Sequence, residues 1–149
     1  GDGDRIADIL DHKWRTHKCK LHLVAMNGGA ILLSRYCPAN RNLNWHDFMR
    51  QGIIAATEIK QTNLVALGSH YPCGLAKQLD LSLDDVIRLT VDGRRELRRA
   101  KPELEIYCFL HVVHPDGRAR TYTIDHKYPP FSEGGILEPA RVAGSGGGW

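Results

Sequence analysis

The sequence predicts an α+β domain: an antiparallel sheet of at least four strands, formed by two hairpins, with about three helices packed on one face. Two apolar-alternating runs turn back on themselves, at Asn27-Gly28-Gly29 and at His114-Pro115-Asp116-Gly117. Three other stretches carry apolar residues at three- and four-residue steps, as amphipathic helices do. The order of these elements lacks the strand-helix-strand alternation that is typical of a parallel sheet.

Length and composition favour one folded domain with a tail. The 149 residues are 42% hydrophobic and 25% charged, which is ordinary for a globular protein and too apolar for a disordered one. We expect a single α+β domain over residues 1–128 and a flexible Pro/Gly-rich tail or linker over residues 129–149. No apolar run approaches the ~18 residues needed to span a bilayer, so no membrane association is predicted.

The N-terminal third predicts a helix and then a hairpin. Apolar residues from Ile6 to Trp14 recur at helical spacing, and Asp4 is a suitable N-cap. Two apolar-alternating runs follow on either side of Asn27-Gly28-Gly29. Because Asn-Gly tolerates positive φ at both turn positions, this segment predicts a hairpin of two strands.

Two further helices are predicted in the middle of the chain. The second begins after Asn44, carries apolar residues up to Ile59, and is weakened by Gly52. The third begins with a capping-box pattern at Ser82 and Asp85, presents arginines outward, and is kinked or split at Gly93. Between these helices, residues 64–67 suit a short extended piece before a loop.

The second hairpin contains the densest run of chemically capable residues. Residues 103–113 are rich in β-branched and aromatic residues, as strands are. In a strand, Cys108, His111 and His114 alternate between faces, so neighbours three apart cannot chelate one ion. Cys108 and His114 share a face but lie about 20 Å apart. This run therefore predicts a strand without a metal site.

The cysteines predict an intracellular protein, in the cytoplasm or the nucleus. Cys19, Cys37, Cys73 and Cys108 are widely spaced and include no CxxC pair, which favours buried, reduced thiols. His70 and Cys73 have a spacing that can chelate zinc and are weak candidates for it. No second pair stands at a recognisable spacing, so no metal and no other cofactor is predicted.

The charge distribution predicts a non-enzymatic binding module for nucleic acid. The net charge is +3, and positive residues gather near the first and third helices and on the last strand. If these clusters share one surface, they can contact an RNA or DNA backbone with strong salt dependence. An alternative is that arginines near a helix end only complement its dipole. The candidate residues are Lys13, Arg15, Lys18, Lys20, Arg94, Arg95, Arg98, Arg99, Lys101, Arg118 and Arg120.

A second interpretation is a protein-interaction or dimerisation domain, working as a homodimer or within a larger protein. An exposed edge strand is one possible contact surface, because its backbone groups can pair with another chain. The helix that carries Trp45, Phe48 and Met49 is another, because exposed apolar side chains mark interaction sites.

A third interpretation comes from "GIIAATEIKQ". Its Glu58-Ile-Lys60, eleven residues after Asp47, resembles the core of the PD-(D/E)xK nuclease superfamily. The resemblance implies a metal-dependent nuclease in which Asp47 and Glu58 hold a divalent cation while Lys60 positions the attacking water. This requires a hairpin at residues 45–60, whereas the apolar periodicity predicts a helix there.

Overall fold

The computed structural model describes residues 22–125 and 127–133, which form a three-stranded mixed sheet with helices. The first predicted helix lies outside these residues. The α-helices are α1 (Trp45–Lys60), α2 (Gly74–Gln78) and α3 (Leu83–Ala100); the strands are β1 (Leu64–Tyr71), β2 (Glu105–Val113) and β3 (Ala119–Thr123); the 3-10 helices are η1 (Gly29–Leu33), η2 (Pro38–Arg41) and η3 (Phe131–Glu133).

The predicted antiparallel sheet of at least four strands is wrong. The strand order is β1-β2-β3, and β1 pairs with β2 in parallel, from Leu64 opposite Glu105 to Tyr71 opposite Val112. Only β2 and β3 form the predicted antiparallel hairpin. Parallel neighbours need a long crossover connection, which α2 and α3 provide here.

The predicted hairpin around Asn27-Gly28-Gly29 is also wrong. Gly28 and Gly29 do adopt positive φ values of 93° and 60°, but the chain then enters η1 instead of a strand. An alternating strand has one side that faces solvent. Residues 30–33 are all buried, so this apolar run has no such side. Gly29 also lies against β1, where an added Cβ would be 2.8 Å from the Gly68 carbonyl oxygen.

The two other predicted helices are present. α1 begins after Asn44 and continues through Gly52 to Lys60. α3 begins at the predicted capping box, in which Ser82 and Asp85 each accept a backbone N–H from the other. Gly93 does not split α3, which continues to Ala100. It lets α3 approach η1, because an added Cβ would be 2.8 Å from Leu33 Cβ.

The core lies between the sheet and the layer formed by α3 and η1. A 2.6 Å hydrogen bond between the Ser69 and Thr90 hydroxyls identifies the face of the sheet that α3 covers. The register partner of Ser69 is Leu110, and the partner of Leu110 is Tyr122. All three side chains therefore lie on this face, which we call the α3 face.

The segment after β3 also packs against α3. Phe131 is 2% exposed, and the Ser132 hydroxyl donates to the Asp92 carboxylate at 2.6 Å. The predicted tail over residues 129–149 thus begins with residues that contact the domain, while residues 134–149 lie outside the described part of the chain. No helix in the described ranges is long and apolar enough to cross a membrane.

Candidate functional site

Four arginines line one groove on the C-terminal half of α3. Arg94, Arg95, Arg98 and Arg99 surround a volume of about 460 Å³, which we call the basic groove. The helix brings them together because residues four apart project from the same side, so the four form two adjacent rows. The sequence placed these residues in one cluster, and the structure brings them into one concavity.

Arg94 is the most buried of the four. Its Nε is buried and has no hydrogen-bond partner among the described residues. Burial lowers the pKa of the Arg94 guanidinium, and the charges of Arg98 and Arg95 lower it further. A desolvated cation beside two like charges is unfavourable unless it is paired. Arg94 therefore marks a position where a bound anion would be stabilised.

Three of the other candidate residues near the helix end interact with protein groups. Arg99 lies 3.6 Å from the Glu96 carboxylate, which also accepts two hydrogen bonds from Arg35 at 3.0 and 3.1 Å. Arg95 acts electrostatically on Asp92. Lys101 donates to the Thr57 hydroxyl at 3.2 Å and does not line the basic groove.

The arginines of the second hairpin differ from each other. Arg118 forms an exposed ion pair with Asp116 at 3.2 Å in the turn. Arg120 places its guanidinium 6.0 Å from the centre of the Tyr122 ring, a cation–π contact. Since Tyr122 lies on the α3 face, Arg120 is on the same side of the sheet as the basic groove.

The first basic cluster lies outside the described residues. Its members are Lys13, Arg15, Lys18 and Lys20. That this cluster and the basic groove lie on one continuous surface stays a prediction.

The nuclease interpretation is wrong. Asp47, Glu58 and Lys60 all belong to the single helix α1, so the hairpin that would bring the carboxylates together is not formed. Eleven residues of helix separate Asp47 from Glu58 by about 16 Å, too far for a shared cation. The Asp47 carboxylate instead accepts hydrogen bonds from Arg50 and Gln51.

His70 and Cys73, the weak zinc candidates, are in contact. His70 lies near the carboxyl end of β1, and Cys73 is the N-cap of α2, which follows that strand. Burial acts to raise the pKa of the Cys73 thiol. The hydrogen bond with His70 and the backbone N–H groups of Ala76 and Leu75 outweigh burial, so this pKa lies below its usual value.

The other described cysteines are inert by comparison. Burial raises the pKa of Cys37 to about 12 and that of Cys108 to about 12. Cys37 lies close enough to Cys73 for the two thiols to interact electrostatically. No group of three or more potential metal ligands was found within the described residues.

Cys108 and His111 lie on β2, the first strand of the second hairpin, where the sequence predicted a strand. Cys108 shares the α3 face with Leu110, whereas His111 points to the opposite face and is 2% exposed. The His111 Nδ1 and the Thr121 hydroxyl lie 2.9 Å apart across the strand pair. The two side chains do not converge.

On α1, only one of the three residues predicted as a contact surface points outward. Phe48 is 70% exposed, whereas Trp45 and Met49 pack against the core. Ile59, one further residue on α1, is 77% exposed. The helix thus presents two separate large apolar side chains to solvent.

Comparison of the chain with protein-family models, with curated proteins and with solved structures found no match. The functional interpretation therefore depends on the residues themselves. Sequence reasoning did not single out Tyr122, which contacts the candidate residue Arg120. Its alternation with Arg120 on a strand was the available signal, because residues two apart in a strand share a face.

Proposed function

We propose that the protein binds nucleic acid, and that phosphate groups of the ligand occupy the basic groove. The observation that carries this proposal is Arg94, which is partly buried among like charges without an ion pair in the described ranges. Such an arrangement costs stability in the free protein. An anion in the groove offsets that cost. Ligand binding therefore accounts for this arrangement of arginines, whereas the stability of the fold does not.

The chemistry of the groove suits phosphate. Guanidinium groups present planar, forked donors that match phosphate oxygens, and four of them line one groove. The volume of about 460 Å³ has room for more than a single small ion. Arg120, on the same face, extends the basic surface beyond the groove. A backbone with regularly spaced phosphates can contact both regions at once.

Fluorescence anisotropy with labelled RNA and DNA oligonucleotides, single-stranded and duplex, tests this proposal. We expect binding at low salt that weakens linearly on a log–log plot as salt rises. Arg98→Gln removes one groove cation, and we expect the slope to fall by about 0.7 for single strands and about 0.9 for duplexes. Arg41→Gln, which removes an exposed arginine on η2, is the charge-matched control.

Three results would contradict the proposal. One is the absence of binding at low salt, and another is binding that salt does not affect. The third is an equal loss in Arg98→Gln and Arg41→Gln, which would assign binding to net charge rather than to the groove. Heparin at matched charge concentration is included, because stronger binding to heparin would indicate a polysaccharide ligand instead.

A second candidate function is the binding of a soft divalent cation by Cys73 and His70. The observation that favours it is their hydrogen bond together with the lowered pKa of the thiol. Metal binding requires the thiolate, so a thiol that ionises more easily binds metal more readily. Imidazole and thiolate are the ligand types that zinc prefers.

Titration with Cd²⁺ or Co²⁺ tests this second candidate through the thiolate-to-metal absorption bands. We expect the bands in the wild type and in Cys108→Ser, whose thiol lies elsewhere. Their loss is expected in Cys73→Ser and in His70→Ala. Bands that survive in Cys73→Ser, or are absent from the folded wild type, would exclude this site.

A further inference from the structure

Tyr122 is an exposed aromatic residue in the last strand of the sheet. Its side chain is 38% exposed, while its register partner Leu110 on β2 is buried. Tyr122 does not belong to the hydrophobic core formed by the described residues. Tyr122 therefore presents part of an aromatic ring to solvent beside a buried residue of β2.

Two polar neighbours contact the Tyr122 ring. The Arg120 guanidinium lies 6.0 Å from the ring centre. The His114 ring meets it edge-on, with centroids 6.4 Å apart at 79°, and the His114 Nε2 lies 3.2 Å from the Tyr122 hydroxyl. These contacts orient the ring while a substantial part of it stays accessible to solvent.

The ring lies on the same side of the sheet as the basic groove, and Cys108 connects the two regions. The Ile124 N–H donates to the Cys108 carbonyl at 2.8 Å, and Arg94 lies close enough to Cys108 to affect its thiol. Tyr122 precedes Ile124 by two residues, so it lies about 7 Å further along the chain. A single strand of several nucleotides with one phosphate in the groove can therefore extend along this face to the ring.

We propose that Tyr122 is a base-stacking residue and that the ligand is accordingly a single-stranded segment. This inference rests on the proposed nucleic-acid binding and names its substrate class. A base can stack on a protein side chain only after it leaves its own helix, and the bases of a duplex are not available for this. Stacking on an aromatic ring is sequence-tolerant, because every base has an aromatic face.

The test compares a single-stranded oligonucleotide with a duplex of the same sequence by anisotropy. We expect the wild type to bind the single strand more tightly. Tyr122→Ala is expected to weaken single-strand binding about tenfold, and to leave duplex binding and the salt slope unchanged. Tyr122→Phe is the matched control and should keep affinity within about twofold, since stacking needs the ring and not the hydroxyl.

An abasic oligonucleotide series links the effect to a base. Wild-type protein should lose affinity when one nucleotide of the single strand lacks its base, whereas Tyr122→Ala should not lose more. If Arg98→Gln weakens binding but Tyr122→Ala does not, the stacking inference fails and the proposed function stands. If no oligonucleotide binds at low salt, the proposed function fails as well. Circular dichroism shows whether each variant is folded.

Discussion

Arg88 and Arg94 lie six residues apart on α3, and the protein surrounds them differently. Arg88 is buried, with Nη1 3.6 Å from the Asp84 carboxylate and Nη2 donating to the Pro130 carbonyl at 3.3 Å. Both side chains have a buried Nε without a hydrogen-bond partner. Arg94 has no ion pair in the described ranges and faces other arginines. The first cation holds the segment after β3 in place, while the second lacks such a structural role.

The same contrast extends along the whole helix. In the N-terminal half of α3, most residues from Asp85 to Gly93 are buried against other elements. In the C-terminal half, Glu96 and Leu97 are buried and the arginines are exposed or partly exposed. One helix thus combines a half that is largely buried in the fold with a half that exposes arginines on its surface. Four experiments test this difference between the two halves of α3.

The largest effect is expected at Gly93, where the two halves meet. In Gly93→Ala the new Cβ would lie 2.8 Å from Leu33 Cβ and 3.1 Å from the Ala30 carbonyl oxygen. Because one of these neighbours is backbone, we expect a loss of about 2–3 kcal/mol in the free energy of unfolding, measured with urea. Gly52→Ala on α1 meets nothing within 4 Å and should gain about 0.5–1 kcal/mol. A neutral Gly93→Ala would refute the close approach of η1 and α3.

The second prediction exchanges the two cations for an apolar chain of similar length. Arg88→Met leaves the buried Pro130 carbonyl without its donor, so we expect a loss of about 1–2 kcal/mol. Arg94→Met removes an uncompensated charge and should keep or raise stability, while it weakens oligonucleotide binding. Urea unfolding and anisotropy on both variants measure the two quantities. The comparison fails if both variants lose stability equally.

The third prediction concerns the start of the helix. Ser82→Ala removes the acceptor for the Asp85 N–H, and we expect a loss of about 1 kcal/mol in thermal or urea unfolding. The basic groove lies at the other end of α3, so oligonucleotide affinity should not change. A large loss of affinity would show that the two halves are coupled.

The smallest effect is a pH dependence at Asp92. Burial raises the pKa of the Asp92 carboxyl, although hydrogen bonds from Ser132 oppose this. Because the folded pKa is the higher one, the contribution of Asp92 is most favourable below its unfolded pKa of about 4 and is lost as pH rises through the folded value. The stability of wild type relative to Asp92→Asn should therefore fall as pH rises from acid to neutral. A rise over this range would contradict the direction of the shift.

Local signals in the sequence predicted the elements that depend on neighbouring residues. The capping box at Ser82 and Asp85 marks the start of α3, and the His114-Pro115-Asp116-Gly117 turn marks the β2–β3 hairpin. The pairing of β1 with β2 was not predictable in this way, because its partners are distant in the sequence. The Asn27-Gly28-Gly29 segment predicted a turn correctly but carried no information on the element that follows it.

The candidate site was partly predictable for the same reason. The helical spacing of Arg94, Arg95, Arg98 and Arg99 places them side by side without knowledge of the tertiary structure. The burial of Arg94 depends on β2, and the contact between His70 and Cys73 depends on the chain path after β1. Charge patterns thus locate a surface, while packing decides which of its members lacks a partner.

The parallel pairing of β1 and β2 has a consequence for synthesis on the ribosome. Leu64 and Glu105 are partners that stand 41 positions apart (105 − 64), so β1 emerges well before the strand that completes it. During that interval its backbone donors and acceptors along one side have no β2 to bind, and another nascent chain offers a substitute. Folding of the sheet must wait for the whole crossover, so residues 64–71 stay without their β2 partner throughout this stage of translation.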